Sequence, residues 1–212
     1  MRKILLICAI WAFFTQLGAQ GFNGTIEFRY STLKDTSRNI YHVKNKLVRL
    51  DNYSRKKSNV VEGSFLFDLD TKEVKILSPK RKIWGLQKSE TPPLLTGECV
   101  VTKSKAIKTI SGHKCSEYIV KNTGENTVIT YWVAQGKFTF FSPLIELWNR
   151  KDKQSIYYAQ LKDLPAGSMP LMSVEKHIDT GKTITKLEVV KISKTAPPDQ
   201  YFKVPADYTK FD

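Results

Sequence analysis

The sequence predicts a mainly β domain, an antiparallel sheet, sandwich or barrel, joined late in the chain by a helix. Three observations carry that expectation. Short runs of alternating apolar and polar residues recur at roughly 8 to 12 residues, separated by Asn, Asp, Gly and Pro turns. The period switches between Phe138 and Arg150, where apolar residues fall at i, i+3, i+4 and i+7. No internal repeat, low-complexity segment or composition shift marks a second domain.

The first nineteen residues stand apart. Arg2 and Lys3 precede the apolar run Ile4 to Phe14, and Leu17-Gly18-Ala19 supplies small residues for cleavage. This is the layout of a secretory signal peptide cut between Ala19 and Gln20. The apolar run is too short to span a bilayer, and no later stretch approaches the roughly 18 to 20 apolar residues a membrane helix needs. Cys8 comes before that run is complete and lacks a small residue before it, so a lipoprotein signal is not expected. The remainder, residues 20 to 212, is expected to be one periplasmic or secreted domain with a sizeable core.

Lys and Arg number 34 against 20 Asp and Glu, a net charge of +14 that falls to +12 when Arg2 and Lys3 leave. Such an excess favours anionic partners such as lipid headgroups or acidic glycans, and export argues against nucleic acid. The lysines are scattered through strands and turns, so a solubilising surface with charged strand edges is the plainer reading. Cys99 and Cys115 remain after cleavage. Two cysteines in an oxidising compartment suggest a disulfide, and a hairpin centred near Ile107 would set them opposite each other. The alternative is two separate buried thiols, because a bridge needs a narrow Cα separation. Neither has a second Cys or His at ligand spacing, so no metal site is expected.

In order, Thr25 to Tyr30 is a period-two strand with Ile26, Phe28 and Tyr30 on one face. Ile40 to Lys44 and Lys46 to Asp51 form a hairpin about Asn45, followed by a lysine-rich exposed loop from Tyr53 to Asn59. Gly63 to Leu69 and Lys72 to Leu77 form another about Asp70-Thr71. Lys82 to Leu86 is a short strand, and Thr91-Pro92-Pro93 an irregular crossing. Glu98 to Thr102 and Ala106 to Ile110 precede the hairpin Lys114 to Lys121 and Thr127 to Val133, whose turn draws on Gly124 for a positive φ. The helix over Phe138 to Arg150 has Ser142 as N-cap and Pro143 at its first position. A weaker helix or loop covers Lys151 to Leu164. Leu171 to His177 and Thr183 to Ser193 make a final hairpin about Gly181, and the aromatic tail Tyr201 to Tyr208 is expected to pack back on the domain.

Catalytic motifs are missing. No G-x-S-x-G is present, His42, His113 and His177 lie far apart, and no phosphate-cradling glycine pattern occurs. Asp68, Asp70 and Glu73 lack the further ligands of a calcium loop and read as turn chemistry. The chain is thus expected to be a non-enzyme without a cofactor. What stands out is a surplus of bulky apolar groups. Trp84, Trp132, Phe138, Phe141, Leu144, Ile145 and Trp148 are either ordinary core or the lining of a cleft between a curved sheet and the helix, where a lipid or acyl chain could sit.

The phrases Lys108 to Tyr118, Gly167 to Leu171 and Phe202 to Tyr208, with Phe67 to Val74 and Arg81 to Trp84, resemble an exported family catalogued as domain of unknown function 4412. That family is similar in fold to the LolA/LolB-like lipoprotein carriers of the Gram-negative periplasm. The resemblance covers nearly all of the chain after the leader. It implies a half-open antiparallel β-barrel of about 10 to 12 strands, with one or two helices covering a concave apolar face that holds acyl chains in the carriers. It supplies no catalytic residues, and that fold needs neither the basic excess nor the 53–59 loop. The expectation is a monomeric, exported, non-enzymatic protein holding a lipid or other apolar ligand. The alternative is a basic envelope module engaging an anionic surface or partner protein, with a hydrolase third.

Overall fold

A computed structural model describes residues 21–55, 57, 59–87 and 95–211. The expected leader and the Thr91-Pro92-Pro93 crossing lie outside the described residues.

Among the described residues twelve strands build one sheet. They are β1 (Gly24–Thr32), β2 (Thr36–Lys44), β3 (Leu47–Tyr53), β4 (Val61–Asp68), β5 (Glu73–Ser78), β6 (Ile83–Leu86), β7 (Val100–Ile110), β8 (His113–Asn122), β9 (Thr127–Ala134), β10 (Met169–His177), β11 (Thr183–Ser193) and β12 (Thr209–Lys210). The spatial order is β12-β6-β5-β4-β3-β2-β1-β11-β10-β9-β8-β7. Every pairing is antiparallel except β12 with β6. Most neighbours are thus consecutive hairpins, and the exception sets the architecture. β1 pairs β11, so the first strand lies mid-sheet beside the last long one.

Local chemistry explains the hairpins. Asn45 turns β2 into β3 at φ 55°, and Lys72 turns β4 into β5 at φ 58°. Between β8 and β9 the left-handed residue is Asn126 at φ 50°, not Gly124 as expected. Gly124 is instead needed for close approach: a Cβ there would stand 3.3 Å from the Thr96 carbonyl oxygen.

The register corrects the disulfide expectation. The two short strands expected around Ile107 are one strand, β7, and the turn falls at Ser111-Gly112, where φ is 47° and 78°. Consecutive positive φ values suit a two-residue hairpin turn. Cys115 therefore faces Lys108, while Cys99 lies beside Asn122, whose Nδ2 is 3.7 Å from its Sγ. The seven residue-to-residue steps of β8 from Cys115 to Asn122 extend about 23 Å. Both cysteines are free thiols.

The helices cross one face of the sheet. α1 (Phe141–Trp148) buries Phe141, Leu144 and Trp148, the apolar stripe expected from the sequence. It starts one residue before the expected cap, with Phe140 at the cap position and no side-chain cap hydrogen bond. Pro143 sits in its first turn, where a missing N–H costs nothing because those donors have no intrahelical acceptor. Asn149 ends the helix at φ 46°. In α2 (Lys153–Tyr158) the Asp152 side chain caps the Ser155 N–H at 3.1 Å. Trp148 packs between Phe65 and Phe67, with both ring centroids 5.3 Å away. Tyr158 lies 5.7 Å from Tyr131 and 5.3 Å from Phe141. Each such ring buried from water contributes about 2 to 3 kcal/mol, so these aromatics fix the helices on the sheet.

The opposite face carries the tail. A 3-10 turn (Asp199–Phe202) sets Tyr201 over His42, with ring centroids 5.0 Å apart, and β12 then adds to the edge of β6. The tail thus packs on the domain, on the side away from α1.

Candidate functional site

Register places the inner-face side chains in rows. Tyr41, Leu50, Phe65 and Ile76 form one row across β2 to β5. One step along the strands come Phe28, Asn39, Asn52 and Gly63. A further step brings Ser37, Tyr30, Leu187, Ser173 and Tyr131. The middle row holds two short amides and a glycine where its neighbours hold rings, so the sheet cannot fill the space beneath α1 there. The result is a cavity of about 570 Å³, roofed by Phe141, Ile145 and Trp148.

The cavity is polarised along the strands. Its Leu50 and Phe65 end is hydrocarbon and lies against Trp148. Its other end meets Asp152, Gln154 and Ser155 at the start of α2. Arg150 joins Asp152 at 2.8 Å and stacks with its guanidinium carbon 4.6 Å from the Trp148 ring centre. Arg55 pairs with Asp35. Tyr131 donates to the Gln154 carbonyl at 2.7 Å. Burial pushes the Tyr41, Tyr131 and Tyr158 phenols well above their ordinary value, so they remain neutral at physiological pH.

Three of the seven residues marked in the sequence, Phe141, Ile145 and Trp148, line this cavity together. Leu144 and Phe138 are core, and Phe138 packs against Phe22 and His113 with centroids at 5.5 and 5.4 Å. Trp132 follows Tyr131 in β9 and therefore takes the other face, where the Lys108 ammonium is 5.6 Å from its ring centre. Trp84, on β6, lies between Lys75 and Lys210. Phe28, Tyr41, Leu50, Phe65 and Gln154 also line the cavity, although sequence reasoning leaves them unmarked. The strand residues carried a period-two signal, but nothing local separated a cavity wall from a core.

A second cluster lies on the outer face. Asp51 accepts from Arg49 Nε and Ser64 Oγ, each at 2.6 Å, and lies 3.2 Å from His42 Nε2. Ser, His and Asp thus meet, but the serine proton goes to the carboxylate and not to the imidazole. No activated nucleophile results. Among the described residues no three metal-binding side chains come together, and no helix is long and apolar enough to cross a membrane.

Residues 22–208 match the family described as Domain of unknown function (DUF4412). The chain belongs to that family. This DUF4412 chain is similar to MucB in complex with MucA(peri), with a TM-score of 0.50 and 10% identity over 88% of this chain and 55% of that one. It is similar also to PNGF-II, with TM-score 0.46 and 12% identity over 91% of this chain and 31% of that one. Against a LolA superfamily protein from Nitrosomonas europaea the TM-score is 0.34 at 10% identity, over 88% and 91% of the two chains. The DUF4412 chain thus spans about a third of PNGF-II and a little over half of MucB. The likeness to MucB shows a common fold. No curated protein matches in sequence.

Proposed function

We propose that this DUF4412 protein is an exported, non-enzymatic binding protein that holds a lipid or other apolar ligand between the inner face of its sheet and α1. The cavity of about 570 Å³ beneath α1 carries this reading. It falls within the roughly 300 to 1,000 Å³ of small-molecule sites, whereas well-packed interiors leave few voids larger than a water molecule. The residues of the leader support export, with cleavage between Ala19 and Gln20 and a single domain from 20 to 212 in the periplasm or outside the cell. The protein acts as a monomer and needs no cofactor.

Native mass spectrometry of protein purified from its own envelope tests this. The expected result is a bound mass released on unfolding, together with uptake of fatty-acyl probes. A ligand-free protein that takes up none would sink the idea. One observation favours a second reading, a basic module engaging an anionic surface or an envelope protein: Lys103, Lys105 and Lys108 are all exposed on the edge strand β7. Binding of that kind weakens steeply with salt, and acyl-chain binding does not.

A further inference from the structure

Gln154 is 7% exposed and lines the cavity at the start of α2. Its Nε2 donates to Thr185 Oγ1 at 2.8 Å, and Thr185 Oγ1 donates in turn to Glu175 Oε2 at 2.7 Å. A hydroxyl has one proton, and the carboxylate takes it. Thr185 must therefore accept from Gln154, which fixes the amide orientation and leaves Oε1 as an acceptor without a donor from the protein. That Oε1 is the one buried side-chain polar atom without a partner among the described residues. A buried acceptor left unpaired is unfavourable, and a donor supplied by a ligand removes that penalty.

The surroundings select the kind of donor. Asp152 lines the same end, and Glu175 lies behind Thr185. Both mouth arginines are already paired, Arg150 with Asp152 and Arg55 with Asp35. An ionised carboxylate head offers acceptors only and would set its lone pairs against Gln154 Oε1. The hydrocarbon end, with Leu50 and Phe65 against Trp148, lies two register rows away from Ser173 and Tyr30.

We propose that the cavity takes an amphiphile whose uncharged or cationic head carries an N–H or O–H donor, seated against Gln154, with its chain running beneath α1 toward Trp148. This rests on the reading of the cavity as a ligand site. It adds an orientation and a head chemistry that the apolar lining alone does not supply.

Calorimetry at neutral pH with dodecanamide, methyl dodecanoate and dodecanoic acid tests it. The three share a chain and differ in donor and charge. The amide should bind about tenfold tighter than the ester, the scale of one buried hydrogen bond, and the acid should bind no better than the ester. In Gln154→Met, which conserves volume and removes the acceptor, amide and ester should bind alike. Equal affinity of amide and ester for the native chain, or tighter binding of the acid, overturns the head assignment while leaving the cavity as a lipid site. An amide preference that survives Gln154→Met overturns the role of Gln154. Failure of all three probes to bind overturns both readings. The native comparison decides the head chemistry even where the variant does not fold.

Discussion

Asp51 is a buried carboxylate held by three neighbours from three strands. Burial alone would raise its pKa, but hydrogen bonding with His42, the Arg49 charge and the Ser64 hydroxyl outweigh burial and hold it below the ordinary value of 3.8. A depressed folded pKa stabilises the protein above the unfolded value, and that stability is lost as pH falls through the folded one. Asp51→Asn should therefore cost about 3 kcal/mol in urea melts at neutral pH, since it leaves the buried Arg49 charge unpaired. Below about pH 4 the gap to wild type should narrow as the native carboxylate protonates; a gap that stays constant would unlink Asp51 from acid sensitivity. The thiols allow a separate check. Cys115 is fully buried, and burial pushes its thiol up to about 11; Cys99 is half-buried. In protein beginning at Gln20, iodoacetamide should label Cys99 slowly and spare Cys115 until urea is added. Reductant should leave the melting temperature unchanged, whereas a drop on reduction would restore the disulfide.

At the scale of elements, α1 both stabilises the sheet and roofs the cavity, and the two roles separate by residue. Trp148 wedges between Phe65 and Phe67, so Trp148→Ala should cost about 3 kcal/mol, measured by denaturant unfolding. Ile145 lines the cavity but is only partly buried. Ile145→Phe should keep the melting temperature close to wild type while reducing acyl uptake, because its ring enters the space the chain would occupy. Unchanged uptake would place the ligand elsewhere. Elements governed by neighbours in sequence were legible: the turns at Asn45 and Asp70-Thr71, and the stripe Phe141, Leu144, Ile145 and Trp148. Ser111-Gly112 was passed over because β7 has no burial pattern to anchor its register. Nearly all of it is exposed, with Ile107 at 69%. Whether the expected cleft is open or filled was not legible, because the cavity arises where Asn39, Asn52 and Gly63 align across three strands, an adjacency no sequence window contains. For the same reason Trp84 and Trp132 looked like Trp148 until the sheet assigned their faces.

Across the whole molecule, the pairing of β1 with β11 makes one sheet from two runs of hairpins and puts the putting-together of the cavity at its middle. Strands β1 to β5 supply one side of the lining and β9 to β11 the other. Strand β7 is the far edge, outside that lining, and carries Lys103, Lys105 and Lys108 in the open. A basic exposed edge resists pairing with another strand, and it also offers an anionic surface charges remote from the cavity. The two proposed readings are thus separable by substitution. Replacing the three lysines by glutamate should abolish sedimentation with anionic phosphatidylglycerol vesicles at low salt and leave acyl uptake unchanged. For the unaltered protein, vesicle binding should fade between 0.1 and 1 M salt, as the screening length falls from about 10 to about 3 Å. Vesicle binding that survives both charge reversal and high salt would rule out β7 as the contact and direct the search to the cavity, where a bound chain and a membrane could meet.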